Sequence, residues 1–122
     1  MTLLYEDLTY KIIGLAMEVH NQLGYGFLEK VYENSLMILF ERDKKIAEQQ
    51  KSIPVYFYDN IVGDYYADII VDNKIILELK SAKNIDESHI AQTLNYLKAT
   101  KLKVGMIINF GKEKLEHKRL VL

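Results

Sequence analysis

No cysteine occurs in the chain, which excludes disulfides and thiolate metal sites and fits a reducing compartment. No stretch approaches the ~20 apolar residues that a membrane-spanning helix requires. The opening segment, MTLLYEDLTYK, lacks a basic head followed by an apolar signal core, so the expectation is a protein that is not exported and is cytoplasmic. Internal repeats and low-complexity tracts are missing. Excess charge is missing too: 16 Lys and Arg stand against 17 Asp and Glu, with a formal net charge of −1 and a pI near 6.3. That balance does not advertise nucleic-acid binding. Only one proline is present, Pro54. It cannot donate to a ladder, so its strand belongs at or near a sheet edge.

What is there suits a soluble globular protein. The 122 residues are 49% hydrophobic and 27% charged, which supports one domain spanning residues 1–122 around a single core. From about Tyr5 to Leu23, apolar residues recur at three- and four-residue steps (Leu8, Ile12, Leu15, Ala16, Val19, Leu23) and predict an amphipathic helix. Gly24-Tyr25-Gly26 breaks it. A second helix is expected from about Leu28 to Asp43, with Val31, Leu36, Leu39 and Phe40 as core candidates. After Ile46 the pattern becomes that of strands: a run through Phe57, a turn at Asp59-Asn60, then Ile61 to Val71 and Lys74 to Ser81 as an antiparallel meander. Asp86-Glu87-Ser88 opens a third helix that runs to about Thr100 and buries Ile90, Leu94 and Leu97. Val104 to Phe110 reads as a strand covered on both faces, and Leu115 to Val121 as a weaker last strand. Helices must then cover both faces of a mixed sheet, an α/β sandwich.

The most informative stretch is Ala67 to Ser81, ADIIVDNKIILELKS. Within an apolar hairpin it carries Asp68, Glu78 and Lys80, charges that are costly to bury unless paired or used. Glu78 and Lys80, two apart, share a strand face. A two-residue loop at 72–73 would turn Asp68 away from Glu78. A three-residue loop at 72–74, or a bulge, sets them opposite each other, with both carboxylates converging near Lys80. The second register is the one expected. Elsewhere, Glu29 and Tyr32 stand three apart on the second helix and Gln92 and Tyr96 four apart on the third, so each pair shares a face.

Gly26-x-x-Glu29-x-x-Tyr32 resembles the signature of the GxxExxY proteins, members of the PD-(D/E)XK nuclease superfamily. Asp68 with Glu78-Leu79-Lys80 resembles that superfamily's acid…acid-x-lysine motif, and Gln92-x-x-x-Tyr96 the element of its exonuclease-like branch. Each pattern alone is short enough to arise by chance; their order on matching elements is specific. Ala67 stands where the superfamily's name has proline. The resemblance covers nearly the whole chain and implies a restriction-endonuclease-like sandwich, a central mixed β-sheet flanked by helices. It implies metal-dependent phosphodiester hydrolysis, with DNA as the expected substrate and Mg²⁺ or Mn²⁺ as cofactor.

Physical chemistry runs alongside. Convergent carboxylates make an all-oxygen site for a hard cation, which lowers the pKa of bound water and neutralises charge on a phosphodiester. Asp68 and Glu78 are candidate ligands, the Leu79 carbonyl a further one, and Glu29 completes or supports the set. Lys80 would orient water or stabilise the transition state, with Gln92 and Tyr96 orienting Lys80 or holding a phosphate. Simpler readings exist for each: Glu78–Lys80 as an ion pair on a solvated face, Glu29 as an acid of a helix first turn, Tyr32 and Tyr96 as core residues with bonded hydroxyls, and His20 and His89 as structural. Seven basic residues from Lys98 to Arg119 would track phosphates if gathered on the site's rim. The competing function is a non-catalytic module binding nucleic acid or protein on the same fold, or a homodimer joined through the Tyr56–Tyr58 edge.

Overall fold

The computed structural model describes residues 3–122; Met1 and Thr2, the start of the segment read above for an export signal, lie outside the described residues. In chain order the elements are α1 (Glu6–Leu23), α2 (Glu29–Arg42), β1 (Ala47–Phe57), β2 (Asn60–Val71), β3 (Ile75–Lys80), α3 (Glu87–Thr100), β4 (Val104–Asn109) and β5 (Glu116–Val121). The strands form one mixed sheet in sequence order, β1-β2-β3-β4-β5, antiparallel except where β3 runs parallel to β4. That parallel pair needs a crossover, and α3 supplies it. β1 with Pro54 is an edge strand, as its missing donor requires. Among the described residues no helix is long and apolar enough to cross a membrane.

Each sheet face packs its own core. On one side, Ile12, Leu15, Ala16 and Val19 of α1 and Tyr32, Leu36 and Phe40 of α2 pack over Ile69, Val71, Leu77 and Leu79. On the other, Tyr96 and Leu97 of α3 cover Ala67, Ile70, Ile76 and Ile107. β4 is buried along its whole length, which explains its unbroken apolar sequence. Val31, expected in the core, is 37% exposed. The buried stripe of α2 advances in steps of four through Tyr32, Leu36 and Phe40, and that stripe leaves position 31 on the flank. Leu23 is also exposed, at the last turn of α1.

Two turns decide the register of the site. Asp72 and Asn73 both have positive φ (52° and 53°), and Lys74 N donates to Val71 O at 2.9 Å, a two-residue turn of the hairpin type. Yet Val71 pairs with Ile75, so Lys74 is the extra residue and the register is that of the three-residue loop expected from sequence. Pairing between β2 and β3 covers only Ile69–Val71 against Ile75–Leu77, whereas β1 and β2 pair along nearly their whole length. The outer half of the β1–β2 hairpin therefore projects beyond β3 as a two-stranded ribbon.

α3 approaches the sheet over Gly105. A Cβ there would meet Thr93 Cγ2 at 2.9 Å and Leu97 Cδ1 at 3.3 Å. Gly105→Ala should therefore lift α3 and cost about 1–3 kcal/mol, the usual penalty of overpacking. Equilibrium urea unfolding measures it, and an unchanged midpoint would show that α3 is not seated as described.

Candidate active site

Asp68 sits where the sheet comes apart. The β1–β2 ladder pairs Gln49 with Ile69 and Lys51 with Ala67 and skips the position between them, while β2–β3 pairing stops at Ile69 and Leu77. Alternation breaks at the same place: Ala67 and Ile70 both face α3, Ile69 and Val71 the opposite side. Side chains take over from the ladder. Asp68 N donates to Glu78 Oε1 at 3.2 Å, and Leu79 N donates to Asp68 Oδ2 at 2.8 Å. The two acids are thus opposite neighbours, each bonded to the other's strand.

Little screens their charge. Glu78 is 3% exposed, and burial, reinforced by the Asp68 carboxylate, pushes its pKa up to about 8. Burial and then the nearby Glu33 push Asp68 upward as well, against the amide of Leu79 and the charge of Lys80. Lys80 Nζ donates to Gln92 Oε1 at 3.0 Å, and Gln92 Nε2 donates to the Tyr96 hydroxyl at 3.1 Å. The phenol's pKa is raised by burial and by the carboxylate of Glu78. Amine, amide and phenol form a relay along one face of α3, as the four-residue spacing of Gln92 and Tyr96 implies.

The Gly26-x-x-Glu29-x-x-Tyr32 element acts as a clamp. Tyr32 is fully buried and stacks on Phe110 with ring centroids 4.4 Å apart. Its hydroxyl donates to Gly24 O at 2.7 Å and accepts from Phe27 N at 3.2 Å, pinning a loop in which Gly24 and Gly26 have φ of 71° and 112°. That loop holds the end of β3: Ser81 Oγ donates to Phe27 O at 2.7 Å, and Ser81 N to Glu29 Oε2 at 3.3 Å. Glu29 is thus bonded one residue beyond Lys80, not to the Asp68–Glu78 pair. Among the described residues no three or more His, Asp or Glu converge as a ready metal cage. The donor set that does converge, buried Glu78 and half-buried Asp68, both of raised pKa, suits a hard divalent cation. Mg²⁺ commonly takes one or two carboxylates and completes its shell with water and phosphate oxygens. Leu79 contributes its amide to Asp68, and its side chain is core.

Two further residues escaped the sequence reading. Glu33 is 2% exposed and accepts from Lys30 Nζ at 2.8 Å, from Gln50 Nε2 at 2.8 Å and from the Gln49 amide. Gln50 Nε2 also reaches Asp68 Oδ1 at 3.4 Å. Gln50 holds a φ of 52°, a left-handed backbone within a strand. A charge directly beside the buried stripe of α2 was the one available signal for Glu33; nothing in the strand pattern marks Gln50. His20 and His89 are structural: His20 Nε2 bonds Lys112 O at 2.8 Å and His89 Nδ1 accepts from Asp86 N at 3.2 Å in the cap of α3. The basic tract is divided. Lys112 is held by Asn84 and Glu116, and Arg119, on the far edge strand, donates to Leu4 O, while Lys98 and Lys101 lie beside β1.

A family model described as the PD-(D/E)XK nuclease superfamily matches residues 6–120. The fold is similar to that in the crystal structure of SSO0001, with a TM-score of 0.58 and 18% identity over 96% of this chain and 59% of that one. It is also similar to an alkaline exonuclease (LHK-Exo) from Laribacter hongkongensis, with a TM-score of 0.56 and 11% identity over 99% of this chain and 72% of that one. The mixed sheet with helices on both faces is that of the restriction-endonuclease-like sandwich. No curated protein matches the sequence.

The raised pKa of Glu78 makes metal-free stability depend on pH. Between the ordinary glutamate value near 4.5 and about 8, the folded chain holds a proton that the unfolded chain has released. Stability is therefore full below the first value and declines through the second, by at most about 1.4 kcal/mol per pH unit. Urea unfolding in EDTA at several pH values should show that decline, and Glu78→Gln should flatten it. Identical slopes in the two proteins would remove the buried carboxylate as its cause.

Proposed function

The chain belongs to the PD-(D/E)XK nuclease superfamily, and from that premise we propose that it is a metal-dependent nuclease of the GxxExxY branch, one domain acting on the phosphodiester bonds of DNA in the cytoplasm. The observation that carries this is the pair formed by half-buried Asp68 and buried Glu78, each bonded to the other's strand, with the relay from Lys80 beside it. Two facing acids of raised pKa burden the fold by mutual repulsion, a cost that a bound cation would offset.

Asp68 and Glu78 would hold Mg²⁺ or Mn²⁺, with the Leu79 carbonyl as a further donor. The bound cation would supply an acidified water and neutralise charge on the phosphate. Lys80 carries an ammonium that counters negative charge building on the phosphate oxygens. Gln92 fixes that amine by accepting from it, and Tyr96 fixes Gln92. Glu29 holds the Ser81 amide and so the end of β3, which keeps Lys80 in place; it acts through position rather than as a primary ligand.

Purified protein incubated with linear, circular and single-stranded DNA should cleave in Mg²⁺ or Mn²⁺ and not in EDTA. Asp68→Ala and Glu78→Ala should abolish cleavage, and Lys80→Ala should reduce it by about 100-fold or more, the typical loss of one charge-stabilising group. Cleavage that survives in the variants would assign the activity to a contaminant. Absence of both cleavage and calorimetric metal binding would assign a non-catalytic binding module.

A further inference from the structure

Resting on the nuclease reading, we propose that the groove between the β1–β2 ribbon and α3 receives an unpaired strand of the nucleic-acid substrate on its way to the site. The groove has a volume of about 610 Å³, with Pro54, Val55 and Tyr56 on one wall and Asn95, Lys98 and Lys101 on the other; no carboxylate lines it. It shares α3 with the site. Gln92 of the site and Asn95 and Ala99 of the groove follow at steps of three and four along one face of α3, rising about 10 Å over those seven residues. From the ribbon side, the Tyr65 ring lies 5.5 Å from the ring of Tyr96.

The occupant follows from chemistry. Lys98 in the last turn of α3 and Lys101 at its C-cap match a phosphate backbone, and the Tyr56 ring on the opposite wall offers a stacking platform that tolerates any base. Tyr56 is 60% exposed, and Phe57, Tyr58 and Tyr66 on the same ribbon are exposed as well. Bases inside a duplex have both faces covered by their neighbours, so only an unpaired strand can use such rings. A second copy of the chain fits poorly. In a two-fold contact the patch meets itself, and this one would set Lys98 and Lys101 against their own like charges with no acid to answer them.

Fluorescence anisotropy in EDTA, with a short labelled oligothymidylate and a blunt duplex of equal length, tests this without cleavage. The wild type should bind the single strand more tightly than the duplex. Tyr56→Ala should weaken single-strand binding roughly tenfold, as loss of one stacking platform does. Lys98→Ala with Lys101→Ala should lower the slope of log K against log salt by about 1.4, the value for two phosphate contacts on a single strand. Thermal melting confirms that the variants are folded, as exposed positions allow. Undiminished binding by these variants, tighter binding of the duplex, no binding of the single strand, or a dimer in sedimentation that Tyr56→Ala dissociates would each overturn the proposal. Failure of the nuclease reading looks different: binding lost in the groove variants, with no cleavage by the wild type in Mg²⁺, leaves the groove standing and removes the enzyme. Retained single-strand cleavage with groove variants that bind normally does the reverse.

Discussion

Two carboxylates stand where two rungs of a β-ladder would otherwise be. Once β2 and β3 separate beyond Ile69 and Leu77, the amides of Asp68 and Leu79 need new acceptors, because a buried backbone donor without one is costly. Glu78 and Asp68 provide them. The exchange satisfies both strands while drawing two acids into a volume with little water, where neither keeps its charge easily. Backbone satisfaction and site assembly are therefore one event. A continued regular ladder would supply those amides with carbonyls and leave the acids no reason to turn inward.

Several distant features serve that separation. Lys74, left unpaired after the turn, sets the register that places Asp68 opposite Glu78. Gln50, opposite the gap in the β1–β2 ladder, adopts a left-handed backbone that costs a non-glycine residue about 1–3 kcal/mol. Its amide then bridges Glu33 and Asp68, joining α2 to the parted strand. Tyr32 and the glycine loop hold the other end through Ser81. Strain at Gln50 and repulsion between the acids persist because the packed helices on either side leave the strands no room to relax.

What was legible in the sequence followed from discrete choices. A hairpin register admits few alternatives, and a slip of one residue reverses the face of every side chain, so charges within an apolar run could select among them. Gln92 and Tyr96 share a face by helical geometry alone, and Pro54 marked its edge by the donor it lacks. What escaped depended on contacts between elements. Glu29 lies on the correct helix, but only the packing of the loop before it decides whether its carboxylate reaches the acid pair or the Ser81 amide. Gln50 owes its part to one backbone angle, which no period of two encodes. Val31 shows the same limit on a smaller scale, since a helix can rotate slightly without changing its apolar count.

Net charge is a coarse guide for a related reason. The near-neutral total sums groups that the fold separates: Arg42 is bound to Glu18 and Asp43, and Lys112 lies beside Glu116, and such exposed pairs cancel locally. The cations that remain beside the site are few, and α3 carries Lys98 on the same helix as Gln92 and Tyr96. A helix is stiff over two turns, so under the proposed strand path a backbone held at its outer end would meet the Lys80 relay at a nearly constant distance. Placement on one rigid element can thus give a short strand its register, for which a large excess of positive charge would be a poor substitute, because diffuse attraction raises encounter rates without fixing where a phosphate comes to rest.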